Sequence, residues 1–183
     1  LVVEYTQPIR VRGERNLRVA VSAPELAAVT VDQNGEFEVR GSLDTQTLSL
    51  KAYLDSEISA DHIQATFVTI EASDRSDVDL GRVSADRVEA VAHNRAEVDL
   101  SGDVEEAVLT NNGSGDVDAE DLRAVTVTAT GNASGAIKVF PTEALYATAN
   151  GRGRIEYKGY PTTLETNGNY KKIRRDRDED YDD

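Results

Sequence analysis

The chain has 183 residues, a formal charge of −14, and no Cys, Met or Trp. Its length fits one domain, the lack of Cys excludes disulfides and thiolate metal sites, and the acidity disfavours nucleic-acid phosphates as partners. No apolar run approaches the roughly 18 residues of a membrane span.

Because the sequence holds no Met, Leu1 is expected to be the edge of a processed or truncated protein. A missing secretion signal therefore assigns no compartment.

From Val39 onward the chain repeats. Apolar residues flanked by polar ones recur at Val39, Ile58, Val78, Val98, Val117, Ile137 and Ile155, at spacings of 19, 20, 20, 19, 20 and 18. The flanks are often acidic, as in Asp77-Val78-Asp79-Leu80 and Glu97-Val98-Asp99-Leu100. A second alternating segment belongs to most repeats: Leu48/Leu50/Ala52, Val68/Ile70/Ala72, Val88/Ala90/Ala92, Val125/Val127/Ala129 and Leu145/Ala147/Ala149. Alternation marks half-buried strands. A third, short side contributes Ile63, Val83, Val104 and Leu122. No sustained helical stripe is present.

A unit of about 20 residues cannot bury its own apolar face, and stacking on its neighbours solves this. The expected fold is all-β: a single-stranded, right-handed parallel β-helix (a solenoid) of about seven degenerate coils. Small residues occupy one corner of every coil: Ser56, Ser76, Ala96, Gly115, Gly135 and Gly153. Ser73, His93, Asn112, Asn132 and Asn150 lie three residues earlier. Both columns are expected to serve sharp, closely stacked corners, where Gly and Asn tolerate φ > 0. The solenoid is assigned to residues 1–173. Residues 174–183 (RRDRDEDYDD) have no apolar pattern and are expected to be a solvated acidic tail.

Asn112-Gly113-Ser114-Gly115-Asp116-Val117 and the final Gly151-Arg152-Gly153-Arg154-Ile155-Glu156-Tyr157-Lys158-Gly159-Tyr160-Pro161 resemble the head GIN domain family of autotransporter-adhesin heads. The lead-in from Leu17, with Ala23-Pro24-Glu25-Leu26, is similar as well, and the likeness extends to Ile173. The corners at Ser73–Ser76 and His93–Ala96 depart from the family by lacking Gly. The resemblance implies a bacterial secreted or envelope protein, and it carries no catalytic residues.

Several groups are candidates for chemistry. Glu57, Asp77, Glu97 and Asp116 share one outward column, and Asp79, Asp99 and Asp118 share another. Stacked like charges destabilise a sheet, so Arg75, Arg95, hydration or bound Ca²⁺ is expected to compensate. Ca²⁺ is the one cofactor considered, with Asp77, Asp79, Glu97, Asp99, Asp116 and Asp118 as its ladder. His62 and His93 fall on different coils and in different columns, which disfavours a joint metal site or triad. Tyr157 follows the inward alternation and is expected to plug the core, while Tyr146 and Tyr160 are a candidate contact surface. Gly151 and Gly153 neither follow a nucleotide-binding strand nor open a helix, so no phosphate loop is assigned.

The expected function is a non-enzymatic, extracytoplasmic binding or adhesion-type module. Its flat faces would meet glycan or protein at the cell envelope, and its rod ends could support homo-oligomers. Two alternatives stand beside it: a polysaccharide-acting enzyme using paired carboxylates, and a structural scaffold.

Overall fold

A computed structural model of the chain describes residues 26–176. Its strands are β1 (Ala28–Val31), β2 (Glu36–Asp44), β3 (Thr47–Ala52), β4 (Glu57–Ala72), β5 (Asp77–Asn94), β6 (Glu97–Gly113), β7 (Val117–Gly131), β8 (Ile137–Ala149), β9 (Ile155–Tyr157), β10 (Thr163–Gly168) and β11 (Ile173–Arg175). One 3-10 turn, Tyr170–Lys172, is the only helical element among these residues. Every strand pair among these residues is parallel, as a solenoid advancing one coil at a time requires. The lead-in at Ala23-Pro24-Glu25 and residues 177–183 lie outside the described residues. Arg174 and Arg175, at the start of the expected tail, form β11 with Ile173 and pair with β9.

Long strands such as β4 and β5 each wrap a full coil: a first sheet, a short third side and a second sheet. In the first sheet, Ile58, Val78, Val98, Val117, Ile137, Ile155 and Ile173 pair in register down one interior wall. From Ile58 to Ile155 all are at most 1% exposed. In the second sheet, Leu48, Val68, Val88, Ala107, Val127 and Leu145 form the facing wall. Burial of one such aliphatic side chain is worth roughly 1.5–3 kcal/mol, and stacking repeats that gain at every coil.

Three columns differ from the sequence expectation. Phe37, not Val39, pairs with Ile58, and Val39 faces Ala60, because a register shift between Val39 and Ser42 displaces the first coil. Gly102, not Val104, stands between Val83 and Leu122; Val104 joins the Ala85–Ala124 column. Gly102 has φ +127°, and a Cβ there would lie 2.1 Å from the Val83 carbonyl oxygen, so no other residue fits. Val127, Ala129 and Gly131 are the inward residues of β7 in the second sheet, which leaves Val125 only half-buried.

The small-residue corner column is confirmed, but for spatial reasons. Among the described residues, non-glycine positive φ falls at Gln33, Asn34, Leu54, Asp55, Asp74, Arg75 and Asn94 instead. A Cβ on Gly135 would lie 1.8 Å from the Gly115 oxygen, and one on Gly153 would lie 1.9 Å from the Gly135 oxygen. Two hydrogen-bond devices hold these corners. The Ser76 hydroxyl accepts from Ser73 N–H (3.0 Å) and donates back one coil to the Ala52 carbonyl (2.8 Å), and Ser56 does the same with Tyr53 and Val31. Past Ala96 the device changes. Asn111, 1% exposed, accepts from Gly113 N–H (2.8 Å). Its amide donates to the Gly115 carbonyl (2.7 Å) and forward one coil to the Ala136 carbonyl (3.1 Å).

Candidate functional site

The solenoid sorts its outward side chains by face. On the first sheet, Glu57, Asp77 and Glu97 pair in register, and Asp116 follows, its carbonyl accepting from Val98 N–H (3.1 Å). The second column runs Ser59, Asp79, Asp99, Asp118, Lys138, Glu156 and Arg174. Its later members carry their own counter-charges. Lys138 Nζ lies 2.7 Å from Asp118 Oδ2 and 3.5 Å from Glu120 Oε2, and Arg174 Nε donates to Glu156 Oε1 at 2.8 Å. The Asp116 carboxylate accepts from Ala136 N–H (2.7 Å). Arg75, one of the expected compensators, instead grips Asp55 with two hydrogen bonds of 2.5 and 2.6 Å.

Among the described residues, Asp77, Asp79, Glu97 and Asp99 have no ion-pair partner. Asp99 is held above the usual carboxylate range, chiefly by burial among its neighbours and then by the charges of Asp118, Asp79, Glu97 and Asp77. Among the described residues, no three His, Asp or Glu side chains converge as a metal-ion cage.

The outer face of the second sheet has a different chemistry. At its early end it is charged. Arg87 bonds Glu89 (2.9 Å) and Glu106, and Lys51 lies 2.9 Å from Glu71. Further along, the face turns neutral. Val108, Thr128 and Tyr146 pair in one outward column, and Thr110, Thr130 and Thr148 in the next. At the edge, Asn112, Asn132 and Asn150 form a ladder in which each amide donates to the preceding side-chain oxygen at 2.8 Å. Tyr146 is 39% exposed in this neutral area, on the strand that borders Glu165 of β10. Tyr160 does not share the face. It lies near the end of the rod with the Arg175 guanidinium 3.4 Å from its ring centroid. Tyr157 is half-buried against the core beside Val139.

A groove of about 880 Å³ runs along the corner between the third side and the second sheet, from Asp44 and Gln46 to Thr142. The small stacked residues Ala65, Ala85 and Val104 line it. Asp86, Asp103 and Glu105 line it beside Arg123, which also sits 5.1 Å over the Phe140 ring. These residues carry no recognisable motif, and only the coil register brings them together. The histidines are kept apart: His62 pairs with Arg82 on the third side, and His93 pairs with Asn112 in the second sheet.

A family model described as "Putative auto-transporter adhesin, head GIN domain" matches residues 4–161. A solved crystal structure from Parabacteroides distasonis ATCC 8503, described as a "Putative lipid binding protein", superposes with a TM-score of 0.77 at 20% identity. The alignment covers 84% of this chain and 63% of that longer one, so the likeness concerns the fold. No curated protein matches the sequence. No helix among the described residues is long and apolar enough to cross a membrane.

Proposed function

Because this chain belongs to the head GIN domain family, we propose that it is a non-enzymatic binding module of the bacterial cell envelope, working outside the cytoplasm. Its mechanism is surface contact. Stacked coils present the same outward positions at a repeat of about 4.8 Å, so an extended ligand meets several equivalent side chains at once. The observation that carries this reading is the neutral Thr, Asn and Tyr area on the second sheet of an otherwise acidic rod. Envelope glycan and envelope protein are the ligand classes that such an area suits. Ca²⁺ would act as an accessory by bridging the unpaired carboxylates Asp77, Asp79, Glu97 and Asp99 between coils.

A glycan array probed with and without Ca²⁺ tests the reading. Retention of a defined glycan set supports it. Absence of any glycan or envelope-protein binding would leave only a scaffold role.

One observation favours a second reading, an enzyme acting on polysaccharide. The corner groove holds Asp86, Asp103 and Glu105 together, and glycosidic chemistry uses carboxylate pairs. Release of reducing ends or unsaturated products from a polysaccharide panel, abolished by Asp103→Asn, would establish it.

A further inference from the structure

Taking the binding-module reading as its basis, we propose that the neutral area of the second sheet is a docking platform for an uncharged polysaccharide, with Tyr146 as its stacking residue. Three observations support the assignment. The first is charge. The outward positions of β7 and β8 on this sheet are Thr126, Thr128 and Thr130 beside Ala144, Tyr146 and Thr148, with no carboxylate, lysine, arginine or histidine among them. The first sheet of the same coils carries Asp118, Lys138 and Glu156. Glu106 and Glu165 bound the neutral area in the adjacent strands. Uronate or phosphate groups would find carboxylates at the rim and no cation on the platform, whereas a neutral sugar meets no such penalty.

The second observation is unused hydrogen-bonding capacity. The hydroxyls of Thr110, Thr128, Thr130 and Thr148 make no hydrogen bond among the described residues, although Thr69 on the same face bonds the Leu48 carbonyl (3.5 Å). Each offers one donor and two acceptor positions, which suits sugar hydroxyls. The exposed Tyr146 ring supplies the flat apolar surface on which the C–H face of a pyranose stacks.

The third is size. The three outward positions of β7 and of β8, with Val108 and Thr110 of β6, spaced about 4.8 Å between strands and about 7 Å along them, give a platform of roughly 250–300 Å². A stable protein interface buries about 800 Å² on each side. The platform is therefore too small for a second copy or a folded partner, and it matches a few sugar rings.

The test uses the whole chain against uncharged hexose oligomers and oligogalacturonates of equal length, with affinity measured by calorimetry at two salt concentrations. Three variants are compared after circular dichroism shows that they fold: Tyr146→Ala, Thr128→Glu, and Glu36→Gln on the opposite sheet. The expected result is binding of the neutral oligomer with little salt dependence. Tyr146→Ala should weaken it about tenfold, Thr128→Glu should abolish it, and Glu36→Gln should leave it unchanged. Neutral-glycan binding that survives both Tyr146→Ala and Thr128→Glu overturns the platform while leaving the binding-module reading in place. Binding of oligogalacturonate alone also overturns it. Failure to bind any glycan removes the platform, and envelope-protein capture in its place would keep the broader reading. A dimer in sedimentation that Thr128→Glu dissociates would assign the face to self-association instead.

Discussion

Replacing Asn111 with Ala tests whether buried polar bonds hold the second half of the solenoid together. Asn111 stands where the other coils place Ala92 and Gly131, so the backbone accepts a smaller residue without strain. What changes is hydrogen bonding. The Ala136 carbonyl keeps a bond from Val117 N–H (3.0 Å) and loses little. Gly113 N–H and the Gly115 carbonyl, both in buried residues, lose the partner that Asn111 supplies. A buried group left unsatisfied costs about 1–3 kcal/mol, so the pair should cost about 3–4 kcal/mol. For a chain of this length that lowers Tm by roughly 6–16 °C. Thermal and urea unfolding followed by circular dichroism would measure it. Asn111→Asp sharpens the test. It keeps the acceptor for Gly113 but turns the donor into a second acceptor facing two carbonyls. Burial would raise the folded-state pKa of the new carboxyl, so its protonated form would be the one tolerated. Stability should then fall as pH rises through that pKa and recover below the unfolded value near 4. A loss below about 1 kcal/mol in Asn111→Ala, set against the unsatisfied-group cost, or an Asp variant indifferent to pH, would refute the reasoning.

Gly135→Ala should destabilise by about 3 kcal/mol or more in urea unfolding, because its Cβ would meet backbone rather than a side chain that can move. Asp99→Asn should raise Tm at pH 7. The Asp99 pKa is raised on folding, so wild-type stability at this site is fully present below the unfolded value and is lost as pH rises through the folded one. The gain from the substitution should accordingly shrink toward pH 4, and a gain independent of pH would disprove the charge account. Ca²⁺ should raise the wild-type Tm and do so less in Asp99→Asn; equal shifts in both would place the ion elsewhere.

The walls of the solenoid were legible because a β-branched residue between polar flanks recurs from Ile58 to Ile155 at nearly constant spacing. The register of individual coils was harder to read. A slip of two residues leaves inward and outward parity intact, so alternation alone could not separate Val125 from Val127 or Val39 from Phe37. Corner length decides those cases, and corners vary: Gly102 and the irregularity after Val39 each change the count without changing the pattern. The acidic columns were visible because Asp repeats beside Val. Their counter-charges were not, since Lys138 meets Asp118 only through stacking. The neutral platform was concealed for a related reason. Thr reads as an ordinary strand former, and nothing local distinguishes Thr128 facing solvent from one packed against a neighbour.

The exchange of corner devices at Ala96 gives the rod a grain. The serine corners at Ser56 and Ser76 reach toward the preceding coil and the single Asn111 corner toward the following one, so the stitches on either side of Ala96 run in opposite senses. Lengthening the rod by copying the coil 57–76 would lay one serine-type unit on another and keep each stitch anchored. A graft that set the Asn111 coil directly beneath a serine corner would direct both stitches into the same junction and leave another junction with none. Modular extension of this scaffold is therefore free among the serine corners and constrained at the seam by Ala96.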